Sequence, residues 1–441
     1  MNENRRRGPS LASGATVAAL LAVAVGAGRA RAQAPVPEPA DTGWVEIGGA
    51  ATPGPEAAAP TSVFGADDPF ADLPDEEKDT RPPGGRVRPY FDYNRVDQWV
   101  LGLDLLYQPE RGMNPAMRLR VVRAFQRKTE GPGDGQTLYD LRLDQPLVRG
   151  RTLRAGIARY RKTDDDGFGQ VRAIENAFAT ALFRWDFRDW FEREGFEAGL
   201  AGEWGPRWSG AARWNADDYR SITELADGLA PAFRQHEPLR ANPAIDDGRI
   251  QSVTFGAAYD SRSTPAQPRS GMLHRVEMET AGGALGGDYG YHRYRGDFRF
   301  YVSPSPSHLF KTRLMAGTSG RDETLPLQKS FAIGGVGTLR ATPFRQFRGN
   351  QMFLWNADWA WEVLRRSSRN VAVKTGLSLV AFSDLGLAWD APTWDAGRRR
   401  MAWNVGLGAG TTDENFRVYV GRDVRSEHAA LHCTVRVLRN Y

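Results

Sequence analysis

Cysteine is almost missing from this chain, and Cys433 stands alone. An internal disulfide is therefore excluded, and no structural zinc site is read from the six histidines, His274, His292 and His432 among them. Enzyme signatures are missing as well: the chain contains no G-x-S-x-G elbow, no H-E-x-x-H pair and no P-loop. No catalytic activity, metal or cofactor is expected on that basis. Neither sign of charge dominates, with 58 basic against 53 acidic residues, so no basic stripe for a nucleic acid is read from it. Beyond the first thirty or so positions, no apolar run is long enough for a membrane helix. What the 441 residues do hold is turn formers and rings: 48 Gly, 27 Pro, 13 Trp, 13 Tyr and 21 Phe.

The amino end reads as an export signal. Arg5, Arg6 and Arg7 precede a small-apolar stretch from Leu11 to Gly26, and Ala30-Arg31-Ala32 supplies an A-x-A cleavage pattern. Residues 1–32 are thus expected to be a cleaved signal peptide. From Ala34 to Arg86 come "APVPEPA", "ATPGPEAAAPT" and "DLPDEEKDTRPPGG", without a period of 2 or 3.6. Such a composition cannot bury enough apolar surface to order itself, so 33–86 is expected to be a disordered Pro/Ala-rich periplasmic linker. Residues 87–441 are expected to form the folded domain.

From there to the end the pattern has period 2. In "DQWVLGLDLLY", Trp99, Leu101, Leu103, Leu105 and Tyr107 point one way while Gln98, Gly102 and Asp104 point the other. Rings close both ends of the apolar row, as in a strand that crosses a membrane between two aromatic girdles. Comparable rows recur at Tyr139–Leu143, Phe183–Phe187, Phe353–Trp361 and Met401–Ala409, and about sixteen such segments can be marked. A soluble β-sandwich would not tolerate Asp, Arg and Glu on one face and rows of Trp on the other. The fold class expected is therefore all-β: a transmembrane antiparallel β-barrel of about 16 strands. Parity predicts Trp99, Trp185, Trp355 and Trp403 toward lipid, and Asp104, Arg184 and Asp358 toward the lumen. The acidic run Asp164-Asp165-Asp166 reads as a solvated turn, and Asp217 to Asp247 as an outer loop. Val435, Val437 and Tyr441 form the outward row of a closing strand with an aromatic terminus, interrupted by Arg439.

Between Lys329 and Glu362, "AIGGVGTLR" is followed by "FRGNQMFLWNADWAWE". With "YDSRSTPAQPRSGMLHRVEMETAG", "FSDLGLAW" and "NVGLGAGTTDENFRVYVGRDV" in the same order, Ile250 to Tyr441 resembles the bacterial surface antigen family, the BamA/TamA-like outer-membrane barrels. The resemblance implies a sixteen-stranded barrel whose sixth outer loop folds back into the lumen. It also implies that the loop motif Gly334, Gly335, Thr338, Leu339, Arg340 and Phe344 meets an inner-wall partner, Asp384 with Gly386. The chain departs from the family pattern after the arginine, where Ala341 and Thr342 replace Gly-aromatic and displace the ring to Phe344. No polypeptide-transport-associated domain is legible before the barrel. The function implied is outer-membrane biogenesis, by protein or lipid insertion, at the cell outer membrane. Outer-membrane lipids, the assembly machinery that inserts the barrel itself, and an unfolded protein or lipid client are the partners implied. A porin-like channel selecting solutes by its lumen charges is the alternative.

Overall fold

The computed structural model describes residues 45–47, 84–109, 113–127, 136–148, 152–165, 171, 173–223, 239–264, 267–320, 324–364, 376–391, 401–426 and 430–437. The expected signal peptide, Asp166, Arg439 and Tyr441 lie outside them.

Alternating residues become strands because each backbone can pair on both sides while its side chains part between lipid and lumen. In chain order the strands are β1 (Val45–Ile47), β2 (Gly84–Asn94), β3 (Gln98–Gln108), β4 (Ala116–Ala124), β5 (Gln136–Pro146), β6 (Leu153–Asp165), β7 (Trp190–Trp204), β8 (Trp208–Ser221), β9 (Gly248–Asp260) and β10 (Gly271–Ala281). There follow β11 (Tyr291–Ser305), β12 (His308–Ser319), β13 (Phe331–Ile333), β14 (Phe347–Gly349), β15 (Gln351–Leu364), β16 (Leu377–Trp389), β17 (Ala402–Gly410), β18 (Phe416–Asp423) and β19 (His432–Val437). One helix, α1 (Ala173–Phe183), sits between β6 and β7.

Sixteen of these strands, all but β1, β13 and β14, make one transmembrane antiparallel sheet in which each pairs with the next along the chain. Among the described residues no ladder joins β19 to β2; α1 links the two, packing on β2 and pairing through Glu175 with Arg436 of β19. Long connections gather at one end, including those that hold α1 and the β13–β14 hairpin, while two-residue and three-residue turns such as Pro306-Ser307 and Gly205–Arg207 lie at the other. By the general rule for outer-membrane barrels the long connections face outward from the cell.

The register follows parity. Trp99, Leu101, Leu103 and Tyr107 are exposed on the outer wall, as are Trp359, Trp361 and Trp403. Asp104 is buried on the inner wall, where Arg118 donates to both of its oxygens at 2.9 and 2.8 Å. The lumen is laced with such pairs: Asp297 accepts from Arg299 and Arg313, each at 2.7 Å. A buried carboxylate is tolerable only when its lone pairs are met in this way.

Three readings need correction. Phe183–Phe187 is not a strand: Phe183 ends α1, and residues 184–189 are irregular. Arg184 adopts a left-handed φ of 60°, where it closes the helix by donating to Thr180 O at 3.1 Å, so neither it nor Trp185 belongs to the wall. A strand runs instead through Gly84–Asn94, partly inside the segment expected to be linker. That segment also contributes Val45–Ile47, whose backbone pairs with Gly85–Val87. Finally, Asp217–Ser221 and Asp164–Asp165 lie within strands. Asp164 takes bonds from Lys162 at 2.9 Å and Arg193 at 3.3 Å, so it is paired rather than solvated.

Candidate functional site

The connection between β12 and β15 turns into the barrel. Its ends pair as the β13–β14 hairpin, with Phe331 opposite Gly349 and Ile333 opposite Phe347. Phe331, Ile333 and Leu339 are fully buried in an apolar cluster with the wall residues Met315, Met352 and Leu354, and this cluster seats the loop. A tight turn follows. Gly334 has φ 131°, and a Cβ there would fall 2.3 Å from Pro343 O, so only glycine fits. Gly335 also has positive φ, at 84°, and its N–H donates to Leu339 O at 3.0 Å. Thr338 Oγ1 accepts from Gly334 N at 2.9 Å, which makes the threonine part of the turn itself.

The turn delivers Arg340 to the inner wall. Its Nε donates to Asp384 Oδ2 at 2.9 Å and its Nη2 to Asp384 Oδ1 at 2.6 Å, the paired geometry a planar guanidinium allows. Its backbone N–H also donates to Asp384 Oδ2, at 3.1 Å. Nη2 reaches Asp358 Oδ1 on β15 at 2.6 Å, and the guanidinium lies over the rings of Phe382 at 4.0 Å and Tyr419 at 4.8 Å. Asp384 is wholly buried, and Asn356 Nδ2 donates to it at 2.8 Å. The neighbouring wall glycine, Gly386, lets Ile333 close on β16, since a Cβ would meet that side chain at 3.1 Å.

Several residues that the motif alone did not reveal complete the arrangement. Asn404 of β17 accepts from Ala341 N at 2.9 Å and from Thr342 Oγ1 at 3.1 Å, so the two residues that depart from the family pattern still bind the wall. Thr434 of β19 donates to Arg340 O at 3.0 Å. One turn is thereby bonded to β15, β16, β17 and β19 together. Phe344 points elsewhere: its ring meets Phe187 edge-on and lies 4.6 Å beneath the Arg240 guanidinium, among the outer connections.

Those connections converge on one carboxylate. Asp189 is paired with Arg240 at 2.6 Å, Arg345 at 2.7 Å, and Arg95 and Arg348 at 3.4 Å, arginines drawn from three further loops. Burial would raise the Asp189 pKa, but Arg345 and Arg240 beside it prevail and hold it below the usual carboxylate range. Burial pushes Arg95 down to about 10 despite Asp186 and Asp189. No local pattern marks Asp189, because its partners lie far along the chain.

Of the closing-strand residues, Val435 pairs with Val418 and is half-buried, and Val437 pairs with Phe416. The periplasmic part of the opposite flank is occupied in its own way. β2 pairs with β3 along one edge throughout, so Val45–Ile47 takes the other edge.

Among known proteins, the Omp85 superfamily domain model matches residues 133–428. The outer membrane protein assembly factor BamA of Nitratidesulfovibrio vulgaris is 24% identical over 186 residues, covering 37% of this chain and 22% of that protein. The chain thus spans about a fifth of that relative's length. A crystal structure of BamA from Haemophilus ducreyi lacking POTRA domains 1–3 superposes with a TM-score of 0.55 at 12% identity, over 80% of this chain and 69% of that one.

Proposed function

The chain belongs to the Omp85 superfamily, and from that premise we propose that it is an outer-membrane barrel acting in the insertion of proteins or lipids into that membrane. The observation that carries this reading is the edge of β2. On the edge away from β3, its backbone accepts Val45–Ile47 as an added strand, the mode by which a sheet edge recruits an extended peptide. An edge that takes a short segment of its own chain has the hydrogen-bonding groups to take a client strand, and a barrel of fixed closure has none to offer.

The loop supports the same reading. With Arg340 bonded to Asp384 and Asp358, and Thr434 bonded to the arginine's carbonyl, the loop braces the wall from β15 to β19, and it reaches the first hairpin only indirectly, through the Asp189 that Arg345 shares with Arg95. In our reading the motif residues Gly334, Gly335, Thr338, Leu339 and Arg340, with Asp384 and Gly386, hold the late strands rigid so that movement concentrates where β19 meets β2. The chain acts by binding and by yielding at that junction, not by covalent chemistry. Residues 1–32 serve as a cleaved export signal, the segment from there to Gly84 other than Val45–Ile47 as a tether on the periplasmic side, and the chain from Gly84 onward as the barrel. Outer-membrane lipids surround it, and its clients are unfolded outer-membrane polypeptides or lipids.

Reconstitution tests this. The purified chain in vesicles of outer-membrane lipids is expected to accelerate folding of an added unfolded barrel protein, read by heat-modifiable gel mobility. Folding no faster than in empty vesicles, together with a steady ion conductance, would favour the porin-like reading.

A further inference from the structure

Helix α1 is joined to the strand on each side of the barrel's first-to-last junction. It belongs to the connection between β6 and β7, several strands away from β2 and β19, yet it packs against β2. Its Glu175, which is buried, accepts from Arg436 Nε of β19 at 3.2 Å, and the Arg436 side chain is 11% exposed. Arg436 shares its parity with Thr434, which bonds to Arg340 O inside the barrel, so the pair lies on the lumen side.

The helix is attached on both sides. Toward the first strands, Asn176 Nδ2 donates to Asp186 Oδ1 at 3.1 Å, and Asp186 Oδ2 accepts from Arg95 N at 3.1 Å and Trp190 Nε1 at 2.8 Å. Arg95 sits in the β2–β3 turn, and Asn176, Asp186, Arg95 and Trp190 are all buried. That is a network. Toward β19, Arg436 Nε donates to Glu175 Oε1 at 3.2 Å, an ion pair. A network fixes position, whereas an ion pair can be exchanged for water once a gap admits it.

We propose that α1 is a latch across the junction, anchored on the β2–β3 hairpin and clipped to β19 by Glu175–Arg436. Releasing the clip lets β19 move away from β2 while α1 stays with the first hairpin. The inference rests on the reading that this junction yields, and it names the element that controls it.

The chain offers its own reporter. Cys433 is exposed on β19, and Phe178 of α1 is 59% exposed, so spin labels at Cys433 and at Phe178→Cys measure the clip in the full chain in lipid nanodiscs. The otherwise unchanged chain is expected to give one narrow distance distribution. Glu175→Ala is expected to add a longer-distance population at least several-fold larger than any in that parent, and Arg436→Gln to do the same. The charge swap, Glu175→Arg with Arg436→Glu, should recover the narrow distribution. Distributions unchanged in both single variants, each shown by heat-modifiable mobility to be folded, would overturn the latch, as would a swap that restores nothing. Client folding is measured on the same samples. A distance shift without any insertion activity keeps the latch and refutes the insertion reading, whereas insertion activity with unmoved distances does the reverse.

Discussion

Replacing Arg340 and Asp384 by alanine, singly and together, gives the sharpest test of how the loop is held. Arg340→Ala removes two side-chain bonds to Asp384, one to Asp358 and the stacking on Phe382, but leaves Asp384 with the backbone N–H of residue 340 and with Asn356. Asp384→Ala leaves the guanidinium with Asp358. Breaking a buried pair by removing one partner costs about 3–5 kcal/mol when the survivor has no substitute. Each survivor here keeps a substitute, so each single variant should lose about 2–4 kcal/mol. The double variant strands neither charge and should lose less than the sum. The expected coupling is about 1–3 kcal/mol, measured by thermal unfolding in detergent and by the temperature at which heat-modifiable mobility is lost. Arg340→Lys, a point charge without the planar fork, should recover only part of it. Additive single losses would refute the reasoning and leave the apolar seat of Phe331, Ile333 and Leu339 as what holds the loop.

Asp189→Asn removes the charge shared by arginines of three other loops and should raise hydrogen exchange in 239–247 and 344–350 while leaving the wall strands protected. Because the Asp189 pKa is depressed in the folded chain, its contribution is full above the ordinary carboxylate value and is lost as pH falls through the lower, folded one. Loop protection should therefore persist from neutrality to about pH 4 and fall below it, and an earlier fall would contradict the assignment. Gly334→Ala, which puts a Cβ against Pro343 O, should destabilise the loop by about 1–3 kcal/mol, read as increased proteolysis within 334–346. In a background lacking Cys433, a membrane-impermeant thiol reagent should label Asp104→Cys from the lumen and spare Trp99→Cys in a lipid bilayer; the opposite preference would mean an inverted register.

Much of the wall was legible because parity is a local property. Trp99 beside Asp104, or Trp359 beside Asp358, tells which face each takes without knowledge of the neighbouring strand. The errors arose where a local pattern had two readings. The Phe183-Arg-Trp-Asp-Phe run alternates, yet it leaves an alanine-rich stretch, AIENAFATALF, whose helix propensity carries through Phe183. β2 begins with two glycines and contains Pro89, so it reads as linker; one of its edges flanks the junction, where a proline is tolerated. Arg340 and Asp384 came from a family motif rather than from any spacing. Asn404, Thr434 and Asp189 could not be read at all, because their roles exist only once distant loops and strands meet.

The most direct test of insertion at the β2–β19 junction is a photo-crosslinking amino acid at Val87, on β2 beside the edge that receives Val45–Ile47. Irradiation while an outer-membrane protein is being assembled in cells should join that residue to the client, in competition with a crosslink to the chain's own amino-terminal segment. The same probe at Leu101, on the outer wall of β3, should capture lipid alone. A client crosslink equally strong at both positions, or none at Val87 while the barrel conducts ions steadily, would contradict insertion through this junction.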